Sequence, residues 1–348
     1  TLAGSLGVFV AGDLVTFYFT FALVSLSAYG MVVHDATDRA RRAGAIYLML
    51  AVLGEVFLLF AFALLAVNIP GQSLAIADAM AALPGSPVRD ITILLLILGF
   101  GLKAGLVPLH VWLPLAHPAA PMPASAVLSG AIIKAGIIGL IRFLPFDGSV
   151  TAWGEVLGVM GILTAFYGVA LGIAQSNPKT ILAYSSVSQM GVVMAALGFG
   201  LAAGEAATPL GAAQYASHHV LAKGALFLGV GVAYATGARR LAWVMLPVLL
   251  LVFSFGGLPF TGGALAKDAT KGQLGDGLLG WLAALSAAGT TMLMLHFATR
   301  LRAGMAQAEE ARAGLGLILP FAVMVAAALF LPWMLYPAAV KLWPALWP

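Results

Sequence analysis

The stretch GLKAGLVP at residues 101–108 and the stretch GGLPFTGG at residues 256–263 decide the fold. Each interrupts an apolar run that is otherwise long enough to cross a bilayer. Proline removes a backbone donor and clashes with the preceding helical turn, so Pro108 and Pro259 are predicted hinges. Backbone groups freed at membrane depth are tolerated only inside protein or along a wet cavity. The two matched stretches therefore predict two broken membrane helices, whereas a single one would be read as a packing kink.

Composition places the chain in a lipid bilayer. Hydrophobic residues make up 62% and charged residues 9%, with a mean hydropathy of +1.03, whereas a soluble domain has about 25% charged residues. The chain has no cysteine, which excludes a disulfide framework and a thiolate metal site. It shows no dinucleotide-binding glycine fingerprint and no phosphate loop. We therefore predict no metal site, no cofactor, no redox chemistry on this chain and no nucleic-acid partner.

Apolar runs long enough to cross about 30 Å of hydrocarbon predict about ten complete transmembrane helices. They lie near 14–33, 45–68, 91–113, 123–145, 152–174, 181–200, 212–236, 243–266, 277–299 and 314–340. Residues 1–11 are apolar but too short to span, and we expect the chain to begin partway through a helix.

The spacing of the two breaks predicts an internal repeat. The breaks lie five helices apart, an odd number, so two copies of a five-helix unit would have opposite topology, as in many transporters. The predicted fold class is thus an all-α polytopic membrane helix bundle with two inverted five-helix repeats and broken helices. We divide it into 1–150 (the end of an N-terminal helix and the first repeat), 151–275 (the main part of the second repeat) and 276–348 (C-terminal transmembrane helices).

Basic residues in the loops predict the orientation, because cytoplasmic loops carry an excess of Lys and Arg. Alternate loops fall into a richer and a poorer set. The richer set has nine basic residues: Arg39, Arg41, Arg42, Lys179, Arg239, Arg240, Arg300, Arg302 and Arg312. The poorer set has four: Arg89, Arg142, Lys271 and Lys341. We therefore expect a multi-pass protein of the bacterial cytoplasmic (inner) membrane, with the richer set in the cytoplasm.

Four lysines lie inside stretches that otherwise read as bilayer-spanning: Lys103, Lys134, Lys223 and Lys267. A charge at the bilayer centre costs about 2.5–3.5 kcal/mol on the translocon scale. Four lysines placed in spans despite this cost indicate an ion or proton path. The alternative is that some of these lysines extend to the lipid headgroups. Glu55 is the only acid in the middle of a span.

Further polar residues could complete such a path. Buried lysines exchange protons near neutral pH when desolvated, and histidine needs little change to do so. His219 and Lys223 are four apart and share a helix face; His218 precedes them. Three side chains on one membrane helix could hold water between ionisable groups or merely bond neighbouring helices: Ser185, Ser188 and Gln189. His110 and His117 flank the second half of the first broken helix, where His117 can face the loop.

Several motifs resemble one family in order and spacing, from about Asp13 to Asp268. They are KAGLVPLHVWLP (103–114), AHPAAPMPASA (116–126), SGAIIKAG (129–136), NPKTILAYSSVSQMG (177–191), HHVLAKGALF (218–227) and GLPFTG (257–262) with Lys267-Asp268. The chain resembles the proton-conducting antiporter family, which includes antiporter-like subunits of respiratory complex I, Mrp antiporters and membrane arms of energy-converting hydrogenases. The run HVWLPLAHPAAP (110–121) looks most like the hydrogenase-4 and formate-hydrogenlyase branch.

The resemblance implies a proton-path role for each matched residue. Lys103 matches the family's lysine on the first broken helix, which pairs with an upstream glutamate. Lys134 matches a lysine on the next helix, and Lys223 with His218 or His219 matches the central relay. Lys267, beside Asp268, matches the terminal residue at the second broken helix. His110 belongs to the first motif as a supporting polar residue.

One departure concerns the partner of Lys103. The stretch FALVSLSAY at residues 21–29 aligns with a family run that carries a glutamate, and here Ala22 takes its place. Glu55 on the next helix is the candidate replacement. We predict that its carboxylate pairs with Lys103 directly or through one water; otherwise the input half of the path is altered or lost.

Three functions follow as hypotheses. The first is a proton-translocating subunit of a redox-driven complex of the hydrogenase or NADH-quinone oxidoreductase type, with electron chemistry on partner membrane subunits. The second is an Mrp-type cation/proton antiporter, or an ion-coupled transporter that energises a partner such as an inorganic-carbon uptake enzyme. The third is a structural subunit with an impaired proton path. The transported ion is H⁺, with Na⁺ as the alternative.

Overall fold

The computed structural model describes residues 1–69, 71, 73–148, 150–275, 277–308 and 313–336. Within those ranges the chain is helical, with one isolated β-bridge between Asp13 and Ala75. Nine of the described helical segments are long and apolar enough to cross a membrane, and a shorter apolar helix accompanies them. The predicted all-α bundle of about ten membrane helices is therefore confirmed, while the inverted relation of its halves stays a prediction.

The helices follow one another along the chain with short connections. The first half contains α1 (Leu2–Val10), α2 (Leu14–Val32), α3 (Asp38–Asn68), α4 (Ile76–Ala82), α5 (Arg89–Ala104), α6 (Trp112–Ala119), α7 (Met122–Val127) and α8 (Ile133–Phe143). The second half contains α9 (Thr151–Ile173), α10 (Pro178–Ala203), α11 (Thr208–Thr236), α12 (Leu241–Gly256), α13 (Gly262–Ala269), α14 (Lys271–Leu274), α15 (Gly277–Gln307) and α16 (Leu315–Leu335).

Both predicted breaks are present. The helix α5 ends at Ala104, followed by Gly105 at φ 91°, and helical structure resumes at Leu109. The helix α12 ends at Gly256, followed by Gly257 at φ 89°, and α13 begins at Gly262. Only glycine adopts such φ values without a steric cost. The glycines thus end both helices, and for this reason α12 is shorter than the run of residues 243–266 that the sequence predicts.

Small residues let α9 and α10 approach closely. A Cβ added at Gly161 would lie 2.4 Å from the backbone nitrogen of Ala195, and one at Gly198 would lie 2.2 Å from that of Gly158. Membrane helices associate through such small-residue faces because lipid provides no hydrophobic driving force between them. This contact fixes the position of α10, which carries the serines and glutamine named above.

Some sequence predictions fall outside the described residues. They concern Arg312 and Lys341, two of the residues counted for the orientation, and the last part of the predicted span 314–340. The described helix there, α16, ends at Leu335. The side chains of Arg239 and Arg240 are also outside the description.

Candidate functional site: a buried row of lysines and histidines

The first buried group joins α2, α3 and α5 around Lys103. Lys103 is 3% exposed, and its Nζ donates to Ser25 Oγ at 2.5 Å. The Ser25 hydroxyl donates in turn to Glu55 Oε1 at 2.5 Å. The Tyr47 hydroxyl donates to the Ser25 carbonyl at 2.7 Å and holds this turn of α2 in place. We call Lys103, Ser25 and Glu55 the serine bridge.

The serine bridge can conduct a proton without water. A hydroxyl accepts and donates hydrogen bonds at once, so Ser25 can receive a proton from one side and release one to the other. Hydrogen bonds to charged partners are also stronger than neutral ones. Glu55 Oε2 is buried and has no hydrogen-bond partner among the described residues. The carboxylate therefore has one acceptor oxygen in use and one free.

Ser25 is the residue that the sequence analysis missed. We expected Glu55 to pair with Lys103 directly or through one water, and a side-chain hydroxyl lies between them instead. Residues three apart on a helix share a face, and Ser25 follows Ala22 by three positions. That spacing places Ser25 on the same face of α2 as Ala22, and it could have identified the serine.

The break after α5 supports Lys103 electrostatically. Lys103 lies in the last turn of α5, where cations interact favourably with the helix dipole. The indole Nε1 of Trp112, at the start of α6, donates to the Leu102 carbonyl at 2.9 Å. The helix end thus has a side-chain donor for one of the carbonyls that the break leaves without an intrahelical partner.

The second group lies in the middle of the bundle around Lys134. Its Nζ lies 2.5 Å from His219 Nδ1 and donates to the Ser129 carbonyl at 2.9 Å. Between α7 and α8 the chain forms a π-helical turn, Leu128–Ile132, immediately before Lys134. Such turns are frequent at functional sites because they change the helical hydrogen bonding. The turn offers Ser129 O to the lysine, an arrangement that no sequence pattern indicated.

Lys223 adjoins this pair from α11. It is 0% exposed, and its Nζ donates to Ser185 Oγ at 2.6 Å and to the Leu182 carbonyl at 3.0 Å. It also lies 5.1 Å from the centre of the Phe255 ring, within the range of a cation–π contact. The His219 ring lies against the same Phe255 ring, with centroids 5.7 Å apart, and His219 is the partner of Lys134. Lys134 of α8, Ser185 of α10 and the two α11 residues therefore meet at one place.

The second break brings His218 close to Lys267. His218 Nε2 is 3.0 Å from Ser254 Oγ at the end of α12, and the Gly263 N–H donates to the same Oγ at 3.1 Å. A Cβ at Gly263 would lie 1.6 Å from the Ser254 carbonyl oxygen, so this approach requires glycine. Lys267 is half-buried and donates to the Gly256 carbonyl at 2.7 Å. Lys267 also acts electrostatically on His218.

His117 and Lys179 join the central group, although the sequence analysis did not place them on the path. His117 is 0% exposed, stacks on Phe227 with ring centroids 4.6 Å apart, and lies within electrostatic range of Lys134, Lys179 and Lys223. Both of its ring nitrogens are without hydrogen-bond partners in the described part of the chain. Lys179, at the start of α10, donates to the Ala120 carbonyl beyond α6.

We use the name central base cluster for His117, Lys134, His218, His219 and Lys223. Within the described ranges no Asp or Glu side chain forms a hydrogen bond to these five residues. His218 and Lys267 bond to neighbouring residues at the end of α12, Ser254 and Gly256, so both adjoin the second break. No hydrogen bond between described side chains connects the cluster to the serine bridge, so a proton passing between Lys103 and Lys134 would need water or a rearrangement.

A cavity of ≈ 670 Å³ opens beside Lys267. Three of the residues that line it form a hydrogen-bonded set: the Tyr215 hydroxyl donates to Gln189 Oε1 at 2.6 Å, and Gln189 Nε2 donates to Thr290 Oγ1 at 2.9 Å. Ser188 immediately precedes Gln189 on α10, and its buried Oγ has no partner among the described residues. The cavity gives Lys267 a polar surrounding at one end of the row.

Two of the predicted supporting residues lie apart from the row. His110 packs edge-on against Tyr167, with centroids 4.8 Å apart. Asp268 is exposed and accepts from the Tyr336 hydroxyl at 3.0 Å. Burial and the Asp268 carboxylate raise the pKa of Tyr336 to about 12. Neither residue contacts the central base cluster, so their inclusion in a path stays a prediction.

Known proteins resemble this chain in sequence. The profile of the family described as NADH:quinone oxidoreductase/Mrp antiporter, transmembrane, matches residues 11–292. Hydrogenase-4 component B of Escherichia coli is 30% identical over 288 residues, which is 76% of this chain and 43% of that protein. NADH-quinone oxidoreductase subunit N of Desulforudis audaxviator is 34% identical, over 69% of this chain and 48% of that protein. A putative antiporter subunit of Staphylococcus saprophyticus is 33% identical, over 76% and 36%.

Two solved structures share the fold. The Mrp complex from Dietzia sp. DQ12-45-1b matches with a TM-score of 0.76 at 24% identity, over 98% of this chain and 38% of the matched chain. The membrane-bound sulfane sulfur reductase, an archaeal respiratory membrane complex, matches with a TM-score of 0.78 at 24% identity, over 93% and 57%. The chain spans less than half the length of the curated relatives described above.

Proposed function

The chain belongs to the NADH:quinone oxidoreductase/Mrp antiporter membrane family, and on that premise we propose that it moves protons across the bacterial cytoplasmic membrane as one subunit of a redox-driven complex. The observation that carries this proposal is the row of buried bases. Lys134 bonds to His219, and Lys223 and His219 lie against the same Phe255 ring. His218 and Lys267 bond to the end of α12, and Lys267 lines the cavity. Buried ionisable residues inside membrane helices are costly and are retained for function.

The bases suit proton transfer chemically. A lysine or histidine that loses its charge in an apolar surrounding is an acceptor, and a neighbouring base that is charged is a donor. Two such groups in hydrogen-bond contact, as Lys134 and His219 are, can share one proton while like charges oppose a second. A proton arriving at one end of the row then favours release at the other end.

The electron chemistry lies with partner subunits in this proposal. Hydrogenase-4 component B and NADH-quinone oxidoreductase subunit N are components of enzymes whose names denote redox reactions, and both resemble this chain over more than two thirds of its length. The division at 1–150, 151–275 and 276–348, with its inverted repeats, forms part of the same proposal. It is supported by the two breaks, each next to a lysine.

A second candidate is an Mrp-type exchange of a cation for protons, which the likeness to a putative antiporter subunit favours. The two candidates differ in their driving force. We suggest purifying the chain from its native membrane with its bound partners, reconstituting it in vesicles, and following internal pH with a dye. Acidification or alkalinisation that requires an electron donor and acceptor supports the redox-driven pump. A pH change produced by a sodium gradient alone would instead support the exchanger, and no response to either would contradict both.

A further inference from the structure

A second cavity adjoins the central base cluster from the side. It has a volume of ≈ 580 Å³ and lies between α1, α7, α8, α11 and α16. Its walls are apolar apart from two serines and one charged residue, Lys134. Val220, Gly224 and Met324 are typical of the remainder. Pockets of about 300–1,000 Å³ hold ligands of drug size, so this one can accept a small amphiphilic molecule.

Apolar lining determines what can fill the cavity. Apolar cavities do not hold ordered water, since water needs polar partners. Of the helices that form the cavity, α11 and α16 are candidate membrane spans, and α7 and α8 lie within a third, so hydrocarbon chains are the surrounding solvent there. An alkyl chain is therefore the chemically matched occupant of most of the volume.

Lys134 determines what the head of that occupant must be. An ammonium group carries three donors, and Lys134 has two hydrogen-bond partners among the described residues, Ser129 O and His219 Nδ1. Lys134 lines the cavity and is 5% exposed, whereas its partner His219 is 0% exposed. No Asp or Glu side chain within the described ranges is bonded to the central base cluster, so none of these acids is paired with Lys134.

We propose that the cavity binds a single-chain fatty acid, with the alkyl chain between α8 and α11 and the carboxylate on Lys134. The carboxylate accepts the third hydrogen bond of the ammonium and supplies the missing negative charge. In this position it stabilises the charged form of Lys134, so that Lys134 no longer releases its proton to His219. Fatty acids would thus inhibit transport. The binding is independent of the proposed function, and the inhibition rests on it.

Photochemical labelling of the intact complex in nanodiscs tests the binding. The probe is palmitic acid carrying a diazirine and an alkyne, and labelled peptides are located by mass spectrometry. We expect labels on the peptides of α8 and α11 that line the cavity. Unlabelled palmitic acid should suppress the labelling at a concentration about tenfold below that needed with hexadecanol. The reason is that the hydrogen bond between the carboxylate and a charged lysine strengthens binding by about that factor.

Two variants and one control separate the cavity from the rest of the lipid-facing surface. Ala213→Phe places a ring inside the cavity and should remove the α8 and α11 labels. Ala288→Phe adds the same ring to an exposed position on α15 and should leave them unchanged. Lys134→Gln should abolish the preference for the acid over the alcohol. If that variant does not fold, the competition in the unaltered protein and Ala213→Phe still decide the question.

Three results would overturn the proposal. Equal competition by acid and alcohol would show an ordinary lipid contact, without a role for Lys134. Labels that persist in Ala213→Phe would lie outside the cavity. An absence of labels on α8 and α11 in the intact complex would show that another protein segment covers it. None of these results depends on transport, so a failure of the proposed function would be recognised separately.

Discussion

Replacing Ser25 by alanine tests the serine bridge directly. The hydroxyl accepts from Lys103 and donates to Glu55, each at 2.5 Å, and a hydrogen bond to a charged group contributes about 1.5–3 kcal/mol. Water entering the space left by the oxygen would recover part of this contribution. We therefore expect Ser25→Ala to lower the free energy of unfolding by about 1–3 kcal/mol. If proton transfer through the bridge limits the rate, each 1.4 kcal/mol added to its barrier reduces transport about tenfold.

The assay combines thermal unfolding of the purified complex with proton uptake into vesicles. Ser27→Ala is the matched control, because Ser27 lies on the same helix but bonds to Thr1 Oγ1 rather than to the bridge. Ser25→Thr keeps the hydroxyl and should retain more transport than Ser25→Ala. In a double-mutant cycle, Ser25→Ala and Glu55→Gln should couple by about 0.5–3 kcal/mol, since the residues are in contact. Strictly additive effects, or full transport in Ser25→Ala, would refute the reasoning.

Three further predictions concern other parts of the molecule. Ala22→Glu places a carboxylate on the face of α2 that carries Ser25. Added to Glu55→Gln, it should return part of the transport lost in that variant. No recovery of proton uptake in vesicles would mean that this face does not reach Lys103. Gly161→Ala should destabilise the α9–α10 contact by about 1–3 kcal/mol, because the added Cβ would lie 2.4 Å from a backbone nitrogen. The control is Gly30→Ala, which has nothing within 4 Å of its Cβ and should leave the unfolding midpoint unchanged or raised. Equal midpoints in the two variants would contradict this expectation. His117→Phe keeps the ring stacking on Phe227 and removes both nitrogens, so proton uptake should fall while unfolding is little changed; unchanged uptake would exclude His117 from the path.

The fold could be predicted from the sequence because its determinants are local. Apolar runs of sufficient length specify spans, and Gly105 and Gly257 end α5 and α12 whatever their neighbours. The burial of three of the four lysines could be predicted as well, because a membrane span leaves a charged residue few alternatives to the bundle interior, while Lys267 is half-buried. Lys103, Lys134 and Lys223 are indeed at most 5% exposed.

The connections between those residues could not be predicted, because they depend on how each helix is rotated and bonded. The hydroxyl of Ser25 lies between Lys103 and Glu55 through the packing of α2 against α3 and α5. The π-helical turn before Lys134 arises in a stretch without a distinguishing residue. His117 ends in the interior, although its position near the end of α6 also allowed it to face the loop. The inverted repeat stays a prediction, since it concerns the relation between whole halves.

The most direct test of the account is proton uptake by vesicles that contain the complex with Lys223→Gln. Lys223 is fully buried, and its replacement removes the ammonium that bonds to Ser185 and lies against the Phe255 ring in the middle of the row. Arg300→Gln, which removes an exposed positive charge from α15, is the control. The account predicts that Lys223→Gln assembles and loses proton uptake, while Arg300→Gln retains it. Uptake by an assembled Lys223→Gln complex equal to that of the control would contradict the central claim that the buried bases carry the proton.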